Sequence, residues 1–370
     1  MKLDLEIAPL ESWAKHKHKP LIIAGPCSAE SEDQLMQTCS QLKGMNVDIF
    51  RAGIWKPRTR PNSFEGYGEK ALPWLKTVKE ELGVPFAVEV ANPQHIDLAL
   101  KYGVDVLWIG ARTTVNPFNV QEIADALKGV DVPILIKNPV NADLALWIGA
   151  IERIYNAGIR KLAVIHRGFS SHLPSKYRNE PMWQLALELK THIPNLPIIG
   201  DPSHMGGKRA LLLELAQKAL DLNYDGLIIE SHINPDVALS DAAQQVTPKD
   251  FYQLLSDLKF RIVKEENHDA VFINQLDMIR QQIDNIDREL IEVLKARMTL
   301  VEKACEYKIQ NNVSIFQVDR WNEIFRSRSE WAKKMNLNPD LIAEIYKLIH
   351  IESIRRQTEV MTLQDLTSVK

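Results

Sequence analysis

Eight short apolar runs punctuate this chain, and each ends on or beside a residue that carries chemistry. They read LIIAGPCS with Cys27, DIFRAGIWK with Arg51 and Lys56, FAVEV with Glu89, and VLWIGAR with Arg112. ILIK follows with Lys137, then LAVIHR with Arg167, IIGDPSH with His204, and LIIE with Glu230. None alternates with polar residues, so each run is expected to be a strand buried on both faces, as in a parallel sheet. Strands are predicted near 20–27, 48–53, 86–90, 106–111, 133–138, 161–167, 198–203 and 226–231. Helical patterns separate them, from Glu32 to Lys43, Ala71 to Leu82, Ala142 to Ala157, Lys208 to Leu222 and Asp250 to Ile262. Eight strand-then-helix units over about 240 residues match a (β/α)8 barrel, whose chemistry gathers at the C-terminal ends of its strands. An open doubly wound sheet is the alternative, but it would concentrate chemistry at one switch point rather than on every strand end.

The pattern changes after Ile262. From Phe272 apolar residues recur at three- and four-residue steps, through Leu276, Ile279, Ile283, Ile286, Leu290 and Val293. With no Gly or Pro between Val271 and Lys308, this predicts one helix of roughly 40 residues, about 60 Å long. Such a helix outruns a single compact domain and calls for a partner. Two further helices are expected at Gln317–Met335 and Pro339–Met361, with Asn338 as an N-cap and Pro339 in the first turn. The expected division is a barrel over 1–262, a linker over 263–270 and an all-α domain of three helices over 271–370.

Bulk composition narrows the function classes. A net charge of -3 argues against a nucleic-acid or membrane-surface binder. Three cysteines give no disulfide framework, no run approaches a membrane span, and the N-terminal stretch lacks an apolar segment suited to a signal peptide. A cytoplasmic enzyme is the expectation.

In a closed barrel the eighth strand neighbours the first and seventh. Cys27, His204 and Glu230 then sit side by side, with Asp241 in the following loop. One thiolate, one imidazole and two carboxylates suit a divalent transition metal with an open coordination position. Each residue also has a plainer reading; Asp241 could cap a helix at Ala242. Arg112, Lys137 and Arg167 form a cationic stripe fitted to phosphate, unless they pair with neighbouring carboxylates such as Glu89. Arg51, Lys56, Arg58 and Arg60 cluster around the second strand, where Pro57 and Pro61 stiffen the loop and Thr59 adds a hydroxyl. In the long helix Arg297 and Lys308 are eleven residues apart on one face, within an otherwise apolar seam; they serve a ligand, snorkel, or pair with carboxylates. Arg280 lies roughly 25 Å from Arg297 along that helix, so it could join the same small ligand only from a second subunit. Ser353 and Gln357 share a face of the last helix.

The motifs AGPCS at 24–28, KPRT at 56–59, GAR at 110–112, DPSH at 201–204 and ALSD at 238–241, with Glu230, make the barrel resemble 3-deoxy-D-arabino-heptulosonate 7-phosphate (DAHP) synthase of the short type. The resemblance implies condensation of phosphoenolpyruvate with erythrose 4-phosphate. Carried over by residue, it implies Cys27, His204, Glu230 and Asp241 as metal ligands, with Mn2+ favoured over Fe2+, Co2+ or Zn2+. Arg112, Lys137 and Arg167 become phosphoenolpyruvate ligands with Arg51 and Lys56 nearby, and Arg58 and Thr59 contacts of the aldose phosphate. Lys56 is the expected proton carrier, with His204 or a metal-bound water as rivals. KPRT argues against the related octulosonate 8-phosphate synthase, whose loop reads KANRS. Arg60 and His166 depart from the common pattern, and His166 is expected to alter how Arg167 is held.

Residues from about 270 to 360 resemble the all-helical chorismate mutases, which are intertwined dimers, through Arg280, Arg297, Lys308, Arg320, Ser353 and Gln357. That resemblance implies rearrangement of chorismate to prephenate, with Arg280 of the second chain and Arg297 on carboxylates and Lys308 and Gln357 flanking the ether oxygen. Gln317 and Trp321 stand where the family often has Asp and Glu. The whole then reads as a homodimer, or a higher oligomer, whose barrel prephenate or a related product inhibits. In the alternative the barrel is the only enzyme and the helices are a dimerising allosteric sensor.

Overall fold

The computed structural model describes residues 2–14, 20–56, 64–171, 174–260 and 270–368. It divides into two compact units, Met1–Val263 and Lys264–Lys370.

The first unit is a closed parallel barrel of eight strands in sequence order. The strands are β1 (Leu21–Gly25), β2 (Ile49–Arg51), β3 (Phe86–Val90), β4 (Val106–Ile109), β5 (Ile134–Lys137), β6 (Leu162–His166), β7 (Ile198–Gly200) and β8 (Gly226–Glu230). Closure is direct: β1 pairs with β8 along its whole length, Leu21 opposite Gly226 and Gly25 opposite Glu230. Between the strands lie α1 (Glu32–Leu42), α2 (Leu72–Leu82), α3 (Pro93–Lys101), α4 (Ala111–Thr114), α5 (Pro117–Ala126), α6 (Leu144–Asn156), α7 (Trp183–His192), α8 (Pro202–Gly206) and α9 (Leu212–Asp221), with α10 (Pro248–Asp257) after β8. Ser31, Asn92, Asn116, Asp143 and Thr247 each accept a first-turn backbone N–H, caps worth about 1 kcal/mol apiece. The helix expected at Lys208–Leu222 starts as a 3-10 turn at Arg209, and the one expected at Asp250 begins earlier, at Pro248, and ends at Asp257.

Side chains two apart on a strand share a face. One set points into the lumen, where Leu21, Ile23, Ile49, Ala87, Val106, Trp108, Leu135, Ala163, Ile165, Ile199 and Ile228 form one core, closed below by Leu10 and Ala14. The other set, including Ile22, Phe50, Val88 and Val164, packs on the helices. Extending the inward set one step toward the strand ends reaches Arg51, Glu89, Lys137, Arg167, Asp201 and Glu230. The apolar lumen thus passes, at one level, into a ring of charge.

The second unit holds α11 (Ala270–Gln310), α12 (Val318–Lys334) and α13 (Pro339–Ser368). α11 is 41 residues long, and α13 continues past the expected end at Met361. Asn338 caps α13 through Asp340 N–H at 2.9 Å. α13 packs against both α11 and α12. On α11 the stripe Ile279, Ile283, Ile286, Leu290 and Val293 is more than half exposed in the single chain.

Candidate active sites

At the barrel mouth the Cys27 thiol, the Glu230 carboxylate and the Asp241 carboxylate present ligand atoms within 4.8 Å of one another. The thiol donates to Asp241 Oδ2 at 3.3 Å. His204 adjoins them, its Nε2 3.6 Å from Glu230 Oε1 and its Nδ1 2.8 Å from Asp201 Oδ2. His204 arrives from α8 rather than from a strand, because Asp201 caps that short helix and so fixes the imidazole beside its own carboxylate. Asp241 caps no helix; it sits in the left-handed region at φ 50°. Its loop is stitched to the β1 end by Ser28–Ser240 and by Glu30, which accepts Leu239 N–H at 2.8 Å.

The cations converge on the same space. Arg51, 1% exposed, lies 3.1 Å from Glu230 Oε1. Lys56 Nζ donates to the Cys27 carbonyl and sits 3.0 Å from its sulfur. Lys137 pairs with Asp201 at 3.3 Å and lies over the Trp108 ring. Asp201, not Glu89, is therefore the carboxylate that pairs with Lys137: Glu89 accepts the Trp108 indole N–H. Arg167 is held by Asn138 Oδ1 on its backbone and by Asn179 Oδ1 on its guanidinium, both at 2.7 Å. His166 does not hold it. As an outward-facing residue it bonds Tyr224 Oη and the Pro181 carbonyl on the helix side of the sheet. Arg112 is exposed on α4 and has no ion pair among the described residues. Arg58 and Thr59, with Arg60, lie outside the described residues.

Two glycines make this crowding possible. A Cβ on Gly25, at φ 147°, would stand 2.2 Å from the Arg51 carbonyl oxygen. One on Gly53 would stand 2.5 Å from both Lys56 Nζ and the Cys27 carbonyl oxygen.

Electrostatics match the geometry. Burial pushes the Cys27 thiol up to about 12, with the Glu230 charge adding to it. Burial would also raise Glu230 and Asp241, but His204 with Arg51 in one case and with Arg178 in the other holds both carboxylates below their usual range. Burial lowers His204 and Lys137. Glu230 Oε1 and the Arg51 Nε and Nη1 atoms are buried without a hydrogen bond. The donor set fits a divalent cation, with a Glu230 oxygen that has ion-pair neighbours but no hydrogen bond, and the guanidinium atoms without a hydrogen bond fit an anion beside it.

Asp201, which lies within the DPSH motif, and Arg178 and Asn179 join the site without being among the residues expected from the sequence. Arg178 ties Asp241 Oδ1 at 2.9 Å and Gln244 at 2.7 Å. Asn179 links Arg167 to the His204 carbonyl.

In the helical unit Arg297 Nη1 donates to Ser353 Oγ at 2.7 Å, and Lys308 Nζ lies 3.4 Å from Gln357 Oε1 and 2.6 Å from the Ile315 carbonyl. Neither cation meets a carboxylate among the described residues, so the ion-pair reading of the seam falls, and both donate to neutral oxygens instead. Arg320 pairs with Glu323 at 2.6 Å, yet its charge and that of Arg328 still bear on Arg297. Arg280 pairs with Asp277 on its own helix and is not brought to the Arg297 cluster within this chain. Trp321 packs its ring on Phe325 and His350.

A model of the DAHP synthetase I family matches residues 11–264. The chain belongs to that family. A model of chorismate mutase type II matches residues 279–358, so the DAHP synthase barrel and a chorismate mutase domain occupy one polypeptide. The phospho-2-dehydro-3-deoxyheptonate aldolase of Thermotoga maritima is 32% identical over 238 residues, 64% of this chain and 68% of that protein. A 2-dehydro-3-deoxyphosphooctonate aldolase of Legionella pneumophila is 30% identical over 265 residues, 65% of this chain and 91% of that one. The crystal structure of DAHP synthase from Thermotoga maritima matches with a TM-score of 0.58 at 30% identity, covering 64% of this chain and 67% of that one. Among the described residues no helix is long and apolar enough to cross a membrane.

Proposed function

We propose that the barrel condenses phosphoenolpyruvate with erythrose 4-phosphate to DAHP and phosphate, and that the helical domain rearranges chorismate to prephenate, in a cytoplasmic homodimer. The observation that carries the barrel reading is the meeting of Cys27, Glu230 and Asp241 beside His204, at a mouth rimmed by Arg51, Lys56, Arg112, Lys137 and Arg167. These four ligands would hold Mn2+ or a similar divalent ion, which supplies Lewis-acid polarisation of the acceptor aldehyde. Arg112, Lys137 and Arg167 bind the phosphate and carboxylate of phosphoenolpyruvate, with Arg51 completing the anion cradle. Arg58 and Thr59 take the aldose phosphate; the sequence KPRT and the Thermotoga relative support erythrose 4-phosphate over a longer sugar. As the enol carbon attacks the aldehyde, Lys56 Nζ gives a proton to the forming hydroxyl. Water then adds to the resulting cation and phosphate leaves. Chelated full-length protein should lose condensation, and added Mn2+ should restore it. Full activity after thorough chelation would refute the assignment.

The mutase reaction is pericyclic and needs clamping and charge stabilisation rather than a nucleophile. Arg297 and Arg280 of a second chain hold the carboxylates, Arg320 and Ser353 support the clamp, and Lys308 and Gln357 face the ether oxygen. The exposed apolar stripe of α11 supports the dimer that this needs. Tethering supports feedback: prephenate should slow the condensation, and an unchanged rate at saturating prephenate removes that idea. Gln317 and Trp321 favour a second reading, a helical sensor without turnover; prephenate formation by the whole protein decides between the two.

A further inference from the structure

His350 has a buried Nε2 with no hydrogen-bond partner. A buried polar atom left unpaired costs about 1–3 kcal/mol, so native proteins keep few of them outside binding sites. The residue sits on α13 three positions before Ser353 and seven before Gln357, so the three share one face of the helix. Both of those partners already touch the cations of the helical site, Ser353 through Arg297 and Gln357 through Lys308. The positive charges of Arg297 and Lys308 act on the imidazole directly and, with its burial, hold it neutral. Its other surroundings are aromatic: Trp321 at 4.1 Å edge-on and Phe316 at 6.4 Å, neither offering an acceptor.

We propose that His350 is a substrate-binding residue of the helical site, its Nε2 hydrogen-bonding the ring hydroxyl of a hydroxylated dicarboxylate. The inference rests on the mutase reading and deepens it. Two cations on α11 answer the carboxylates, and a ring nitrogen on the same α13 face as their partners Ser353 and Gln357 suits an uncharged hydroxyl. The position also accounts for Trp321. With the family's usual carboxylate replaced by an indole, the polar contact comes from the next helix, and Trp321 packs the imidazole into place.

Three variants of the full chain test this by steady-state conversion of chorismate to prephenate. His350→Phe keeps the aromatic packing and removes the nitrogen. His350→Gln carries a polar atom near the Nε2 position, and His350→Asn carries one only near Nδ1. The expected order of kcat/KM is wild type, then Gln, then Asn and Phe together about tenfold or more below wild type, a factor that equals about 1.4 kcal/mol. The loss should appear mainly as a raised KM. A His350→Phe variant within twofold of wild type overturns the proposal, as does His350→Asn matching His350→Gln. Should the Phe variant not fold, the Gln and Asn pair still decides. Absence of turnover in the wild type is a separate result: it overturns the mutase reading and, with it, the hydroxyl contact.

Discussion

Asp201 is the residue on which the barrel site most depends without being a candidate ligand. It is fully buried and meets Lys137 Nζ at 3.3 Å, His204 N–H at 3.1 Å and His204 Nδ1 at 2.8 Å. Asp201→Asn keeps the shape and deletes the charge. Lys137, 4% exposed, must then remain charged without its partner or surrender its proton. The second route sets a ceiling. Deprotonating a lysine with a reference pKa near 10.4 at pH 7.4 costs about 3 units, or ~4 kcal/mol. Breaking a buried pair typically costs a similar ~3–5 kcal/mol. Because Glu89 still favours the charged lysine, we expect a loss of ~2–4 kcal/mol in barrel stability at pH 7.4. Urea transitions of the full chain followed by tryptophan fluorescence measure it. The sign of the pH dependence is a sharper check. Burial already lowers the folded Lys137 pKa in the wild type, and loss of Asp201 lowers it further, so between the two folded values the variant alone has released the proton and its stability climbs with pH by up to ~1.4 kcal/mol per unit relative to wild type. The deficit against wild type should therefore narrow as pH rises through that range. A loss under ~1 kcal/mol, or a deficit that stays constant over that range, would refute the reasoning.

Cys27→Ser should weaken Mn2+ binding by more than the ~10–100-fold typical of losing an outer partner, as read by calorimetric titration; unchanged affinity would remove the thiol from the ligand set. Asn179→Ala frees the Arg167 guanidinium and should raise the KM for phosphoenolpyruvate several-fold while kcat falls less. Ser353→Ala deletes a charge-assisted bond to Arg297, so the KM for chorismate should rise about tenfold, as such bonds contribute ~1.5–3 kcal/mol. His166 is held down to about 4 by burial. Its contribution is complete above the unfolded value of 6.5 and is lost as pH falls toward 4, up to about 3 kcal/mol. A His166→Gln variant should show a correspondingly flatter acid limb in its unfolding curves.

Much of the barrel was legible because strand ends and inward positions obey a period of two. Arg51, Lys137, Arg167 and Glu230 all fall on the inward count from apolar neighbours. The same count from Ile199 reaches Asp201, and from Ile165 it turns His166 outward; applying it strictly would have found the one and set aside the other. Arg178 and Asn179 were not legible, since they stand on a loop with no periodicity, and their partners lie 63 and 25 residues away. In the helical unit the heptad-like stripe announced a long helix and a missing neighbour. Single-helix spacing could not reveal His350, because its significance comes from two cations on another helix.

Gly25 has one further consequence. No alternative residue can stand there while the Arg51 carbonyl lies 2.2 Å from where its first side-chain atom would go. A saturation library at this codon, selected for growth that requires the condensation, should return glycine alone. A part of the mouth that contributes no functional group would then be the part least free to drift as the ligands around it diversify.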